Sequence, residues 1–236
     1  MKTKSSKRPK LEARARRPLR QPATRQRLAP AERRAQIIGA TKKLFATGGI
    51  EKVSMRSIAR EVGVTQAAIY QHFEDKEAIL TAIAEDFFAE LIVACERVAA
   101  EESDPITRLA RSMRGYVEVG LARADEYRLV FMTNIPGFRH HGLHRLPEGE
   151  EPPEEMTKGK IAYSFLQEQV RQLLANGDIR GGEPETVAEA IWAAGHGLVS
   201  LMITHVDFPW AREALVETQL RILLNGLLPE GSPRRR

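Results

Sequence analysis

The sequence predicts an all-α fold, a three-helix head built on a helix-turn-helix and joined by one long helix to a larger helical body. Apolar residues recur at helical spacing in segment after segment. Ser, Thr, Asp, Pro and Gly stand where those segments start and stop, and no stretch alternates apolar and polar residues as a half-buried strand would.

Residues 31–47 form the first amphipathic run, with Ile37, Ile38, Thr41, Leu44 and Phe45 on one side and Gly48-Gly49 ending it. Ser54 can cap the next helix, whose apolar face is Met55, Ile58, Ala59 and Val62. Gly63 ends that helix because glycine tolerates the left-handed conformation of a sharp turn, and Val64 can pack back beneath it. Thr65 is a second cap. The helix after it buries Ala68, Ile69 and Phe73 and leaves Gln66, Ala67, Tyr70 and His72 outward, which completes a helix-turn-helix.

From about 75 to 101, Ile79, Leu80, Ile83, Phe87, Leu91, Cys95 and Val98 describe one long helix. Asp104-Pro105 restarts the chain with a cap and a proline in the first helical position, and helices follow near 106–122 and 126–133. Further helices are expected near 156–175, 184–204 and 210–227. The second of these is apolar nearly all round from Ile191 to Ile203, so it must be buried on more than one side. Ala193, Ala194, Gly195 and Gly197 would let another helix approach it closely, and the last helix shows Leu215, Leu220, Leu223 and Leu224 as its apolar side. Arg placed at Val199 or Leu223 is therefore expected to split a dimer.

The outward face of residues 66–72 has the chemistry of a groove reader. Gln66 can pair bidentately with adenine N6 and N7, and Ala67 can touch a thymine methyl, each good pairing contributing about 1–3 kcal/mol of discrimination. Residues 33–80 closely resemble the N-terminal domain of TetR/AcrR-type transcriptional regulators. The likeness is carried in order and spacing by Ile37-Ile38-Gly39-Ala40, Leu44-Phe45, Gly48, Ile58-Ala59, Val62-Gly63-Val64, Ile69-Tyr70, His72-Phe73 and Lys76-Glu77. The resemblance implies that Ser54, Arg56, Thr65, Tyr70, His72 and Lys76 clamp the DNA backbone. Trp192, His196 and Gly197, with Asn176-Gly177-Asp178-Ile179 upstream, resemble the WHG-type C-terminal domain found behind some of these heads. This second, shorter likeness implies a helical ligand-binding and dimerisation body, its last long helices forming a homodimer interface and the earlier ones surrounding a cavity. The cavity is expected among Met113, Tyr116, Phe131, Tyr163, Trp192 and His196, with His196 orienting a polar ligand group because its ring can donate and accept at once.

Of the net charge of +5 over 236 residues, residues 1–29 carry eleven Lys or Arg against the single acid Glu12, giving +10 and leaving −5 for residues 30–236. The basic balance thus belongs to a tail of expected disorder, read as an arm for phosphates or a minor groove beside a DNA-reading domain. The expected boundaries are 1–29 for this tail, 30–77 for the DNA-binding domain, 78–228 for the body and 229–236 for a disordered basic C-terminus. Cys95 is the single cysteine, so neither an intrachain disulfide nor a paired thiolate metal site can form. No apolar run is expected to reach a membrane span, no secretory signal is read, and the cytoplasm is the expected location.

Residues 136–155 read as a long irregular connection holding His140, His141 and His144. Gly142 and the prolines nearby argue against a metal site there. Gly195-His196-Gly197 is weighed as hydrolase chemistry and set aside, because no Gly-x-Ser-x-Gly occurs and His196 lies within a helical run. Neither an enzyme nor a cofactor is expected. The sequence reads as a homodimeric regulator that binds a pseudo-palindromic site on double-stranded DNA and is released by a small hydrophobic molecule; that it represses is implied by the family resemblance and by no residue here. The rival is a constitutive DNA-organising protein without an effector.

Overall fold

A computed structural model of the chain describes residues 28–133 and 157–232. Most of the basic tail, the histidine-bearing connection and residues 233–236 lie outside the described residues. Within them the fold is all-helical: α1 (Pro30–Gly48), a 3-10 turn (Ile50–Lys52), α2 (Met55–Val62), α3 (Gln66–Tyr70), α4 (Lys76–Glu101), α5 (Pro105–Ala122), α6 (Ala124–Phe131), α7 (Lys158–Ala175), α8 (Pro184–Thr204) and α9 (Arg212–Leu227).

Helix caps form at Ser54 and Thr65, as expected from the sequence, and also at Asp75, a cap not expected from it. Ser54 Oγ accepts from Ser57 N at 3.1 Å, Thr65 Oγ1 from Ala68 N at 3.2 Å and Asp75 Oδ1 from Ala78 N at 2.7 Å, so donors at three helix starts are satisfied by side chains. Gly63 takes the left-handed conformation, with φ 74° and ψ 40°, and Val64 N bonds back to Ala59 O at 2.9 Å. Thr41 is fully buried, and its hydroxyl donates to Ile37 O at 2.9 Å, as a buried polar group must find a partner.

Helix α4 ties the molecule together. Ile79, Leu80 and Ile83 near its start continue the core of the head (Ile37, Ile58, Ile69, Phe73), while Phe87, Phe88 and Leu91 enter the body, so one apolar cluster runs through both. In the body, α4 packs on α5, α6 and α7, and α5 packs on α8 and α9.

Two expectations need correction. By length and composition α8 is apolar enough to cross a membrane; in this fold it is instead laid against α5, α7 and α9. It is buried on more than one side, as expected, while Ala190, Ala193 and Leu201 face outward and a Cβ on Gly197 would meet nothing within 4 Å. Val199 is the reverse of what the sequence suggests. It is fully buried, with its Cγ1 only 2.9 Å from where a Cβ on Gly120 of α5 would stand, so it belongs to the core of one subunit.

Candidate functional site

The outer face of the head gathers the residues expected to meet DNA. Ser54, Arg56, Thr65, Gln66, Ala67 and Tyr70 are exposed, Tyr70 to 54% despite its size, whereas His72 and Lys76 are half-buried. Five residues long, α3 would be marginal alone. Ile69 and Phe73 pin its inner side to the core, leaving Gln66 and Ala67 at the first helical positions, where a recognition helix meets base edges. Arg34, not foreseen from the sequence, braces its end: the guanidinium donates to His72 O and lies 4.0 Å over the Phe73 ring. The pair Lys43–Glu61 at 2.6 Å links α1 to α2.

The body holds a cavity walled by α4, α5, α6, α7 and α8. About 740 Å³ of space, its mouth included, is free of protein atoms. Met113, Tyr116, Phe131, Tyr163 and Trp192 all lie on its wall, five of the six residues expected there. Gln169, Ser112, Cys95 and Leu91 share the wall and were not expected. Gln169 had a legible signal, since it continues the α7 stripe of Gly159, Ala162, Tyr163 and Leu166. Burial and the charge of Glu96 push the Cys95 thiol up to about 11, which keeps it protonated.

His196 is not on the wall. Its ring stands behind Phe131 and Trp192, and both nitrogens are engaged: Nδ1 lies 2.6 Å from Tyr127 Oη and Nε2 lies 3.3 Å from Ser200 Oγ. It therefore cannot orient a ligand group as the sequence suggested. It ends a continuous polar chain instead. Trp192 Nε1 donates to Tyr116 Oη at 3.2 Å, Tyr116 Oη and Tyr127 Oη are 2.8 Å apart, and Tyr127 can then donate to a neutral His196 that is protonated on Nε2. Burial lowers the His196 pKa, which agrees with that state, and raises Tyr116 to about 12.

Because the folded protein holds His196 below its ordinary value, an unfolded chain binds the extra proton first as pH falls. Stability is expected to be complete above about 6.5 and to decline as pH drops below it. Chemical denaturation at a series of pH values should show that decline in the wild type and a flatter profile in His196→Phe, at lower stability overall. Parallel profiles would place the proton elsewhere.

Head and body meet through ions that the sequence did not reveal, since the partners are distant in the chain. Lys42 of α1 reaches Asp86 of α4 at 3.4 Å and Glu126 of α6 at 3.0 Å; Arg123 reaches the same two at 2.6 and 3.3 Å, and Glu90 at 3.2 Å. Burial pushes Glu126 up, but its hydrogen bond with Lys42 and the surrounding cations hold it below the ordinary carboxylate range. Glu126 adjoins Tyr127, so the cavity's polar chain and the head's ion cluster share α6.

Family comparisons cover both halves of this geometry. The family described as bacterial regulatory proteins, tetR family, matches residues 37–83, and the one described as tetracyclin repressor-like, C-terminal domain, matches residues 109–223. The nucleoid occlusion factor SlmA of Marinobacter nauticus is 30% identical over 161 residues, covering 66% of this chain and 74% of that protein. A TetR/AcrR-family regulator of Thermobifida fusca shares the fold with a TM-score of 0.60 at 23% identity, over 83% of this chain and 98% of that one. FadR of Bacillus subtilis, solved in complex with stearoyl-CoA, shares it with a TM-score of 0.62 at 18% identity, over 81% and 98%. With its helix-turn-helix head, its all-helical body and both family matches, this chain belongs to the tetR family of DNA-binding transcriptional regulators.

Proposed function

We propose that the protein is a homodimeric repressor that leaves its operator when a small, largely apolar molecule occupies the body cavity. In the head, Ser54, Arg56, Thr65, Tyr70, His72 and Lys76 hold phosphates while Gln66 and Ala67 read bases. The unit of DNA binding is residues 30–77, and residues 78–228 bind ligand and dimerise. Its working place is the cytoplasm, on the chromosome.

The observation that carries the ligand half is a pair of unmatched atoms. Tyr163 Oη and Gln169 Oε1 are buried on the cavity wall without a hydrogen-bond partner among the described residues. Orphaned polar atoms in an apolar interior cost stability, and a ligand that pairs with them recovers it. The stearoyl-CoA solved with FadR, an acyl chain on a charged carrier, supports a body of this fold accepting a long apolar chain. The outward faces of α8 and α9, with Leu201 50% and Ile222 64% exposed, support dimerisation.

Ligand releases DNA only by binding one arrangement of the heads more tightly, and a coupling of about 1–3 kcal/mol is enough. The route supported by the geometry runs from Trp192 and Tyr116 to Tyr127 on α6, and from Arg123 and Glu126 to Lys42 in the head. Arg123→Ala is therefore expected to retain ligand binding and operator binding separately while shrinking the ligand's effect on DNA affinity, measured by titrating operator with and without ligand. An undiminished effect would exclude this route.

The likeness to SlmA favours one other reading, a DNA-organising protein with no effector. Screening compounds for release of the protein from its selected DNA site separates the two: release supports the repressor, and affinity indifferent to every cavity-binding compound supports the organiser.

A further inference from the structure

Resting on the ligand reading above, we propose that the cavity selects an uncharged apolar molecule that carries a hydroxyl group, with Gln169 as its specificity-determining residue. The wall contains no acidic, basic or histidine side chain among the described residues; it is built of Phe88, Leu91, Met113, Ile191 and residues like them. An ion placed there would give up its hydration without an opposite charge in return, a cost that outweighs the apolar burial of a short chain. Burial raises the Tyr163 phenol pKa, the nearby acids Glu189 and Glu185 raise it further, and the same two carboxylates would repel an anion.

The polar groups on the wall narrow the choice. Tyr116 Oη is already bonded to Trp192 and Tyr127, and Ser112 Oγ accepts from Gln169 Nε2 at 3.3 Å. What remains is Gln169 Oε1, which can only accept, and Tyr163 Oη, which can do either. A ligand must therefore bring a donor to Gln169. With the amide turned about, Ser112 would donate to its oxygen and the amide NH2 would seek an acceptor; a hydroxyl satisfies either arrangement. Ethers, ketones and esters bring no donor and so satisfy only the turned-about amide, carboxylates do the same while charged, and ammonium groups are charged without an acceptor; a hydroxyl alone satisfies both arrangements without charge.

The test is calorimetric titration of the full-length protein near neutral pH with four probes that share one chain: decanol, decyl methyl ether, decanoate and decylammonium. Decanol is expected to bind about tenfold or more tightly than the other three, the order of one well-placed hydrogen bond. In Gln169→Leu, alcohol and ether should bind within about threefold of one another. Tyr163→Phe, which deletes only an unpartnered hydroxyl, should melt no lower than wild type and lose a few-fold in decanol affinity, so the inference is testable even if Gln169→Leu folds poorly. Decanoate, decylammonium or the ether binding as tightly as decanol would overturn it, as would an alcohol preference that survives in both variants. If no probe binds the folded wild type, the ligand cavity itself falls with it; binding in another order overturns the hydroxyl alone.

Discussion

Val199→Arg is expected to abolish folding, whereas Leu201→Arg, two positions along the same helix, should leave the fold intact and separate the subunits. Val199 is fully buried against α5, beside Gly120. A guanidinium there would be both overpacked and unpaired, and losing about 3–5 kcal/mol or more removes much of the roughly 5–15 kcal/mol that holds a domain of this size together. Leu201 is half exposed on the open side of α8 and has room for a longer side chain. Urea unfolding should find no cooperative transition for Val199→Arg, and sedimentation should find a folded monomer for Leu201→Arg. A folded Val199→Arg dimer would mean that α8 is rotated from the orientation described.

On DNA, Tyr70→Ala is expected to weaken binding on every sequence, while Gln66→Ala relaxes preference mainly at one base pair of each half-site, by about 1–3 kcal/mol. Tyr70 ends α3 and stands free of the core, and the proposed function has it hold a phosphate; Gln66 opens the same helix and faces outward from its first turn. Competition binding against a set of single-base operator variants separates the two effects. A uniform loss for Gln66→Ala would show that α3 docks differently.

Much of this was legible in the sequence because it depends on neighbours along the chain. The caps at Ser54, Thr65 and Asp104 located the starts of α2, α3 and α5, helical spacing located α4, and each of those caps forms. Five of the six cavity residues were found because aromatic and Met side chains on packed helices converge in a body of this kind. What the sequence hid depends on rotation and distance. In a helix as uniformly apolar as α8, periodicity cannot distinguish the face that packs on α5 from the face left open, and so Val199 was assigned to the outside. His196 was misplaced for a related reason: its versatility as donor and acceptor is used up by Tyr127 and Ser200, and Tyr127 lies sixty-nine residues away. The Lys42, Arg123 and Asp86 cluster and the Arg34 brace likewise join residues with no local signature.

The central claim, sequence-specific reading of DNA by α3 in a symmetric dimer, is tested most directly by selecting bound duplexes from a random pool. The predicted result is one enriched site of two inverted half-sites, their centres a whole number of turns of about 10–10.5 base pairs apart, with the preference at one position per half-site lost for Gln66→Ala. A pool that stays random while binding weakens only with added salt would contradict the claim and identify a protein that grips phosphates without reading bases.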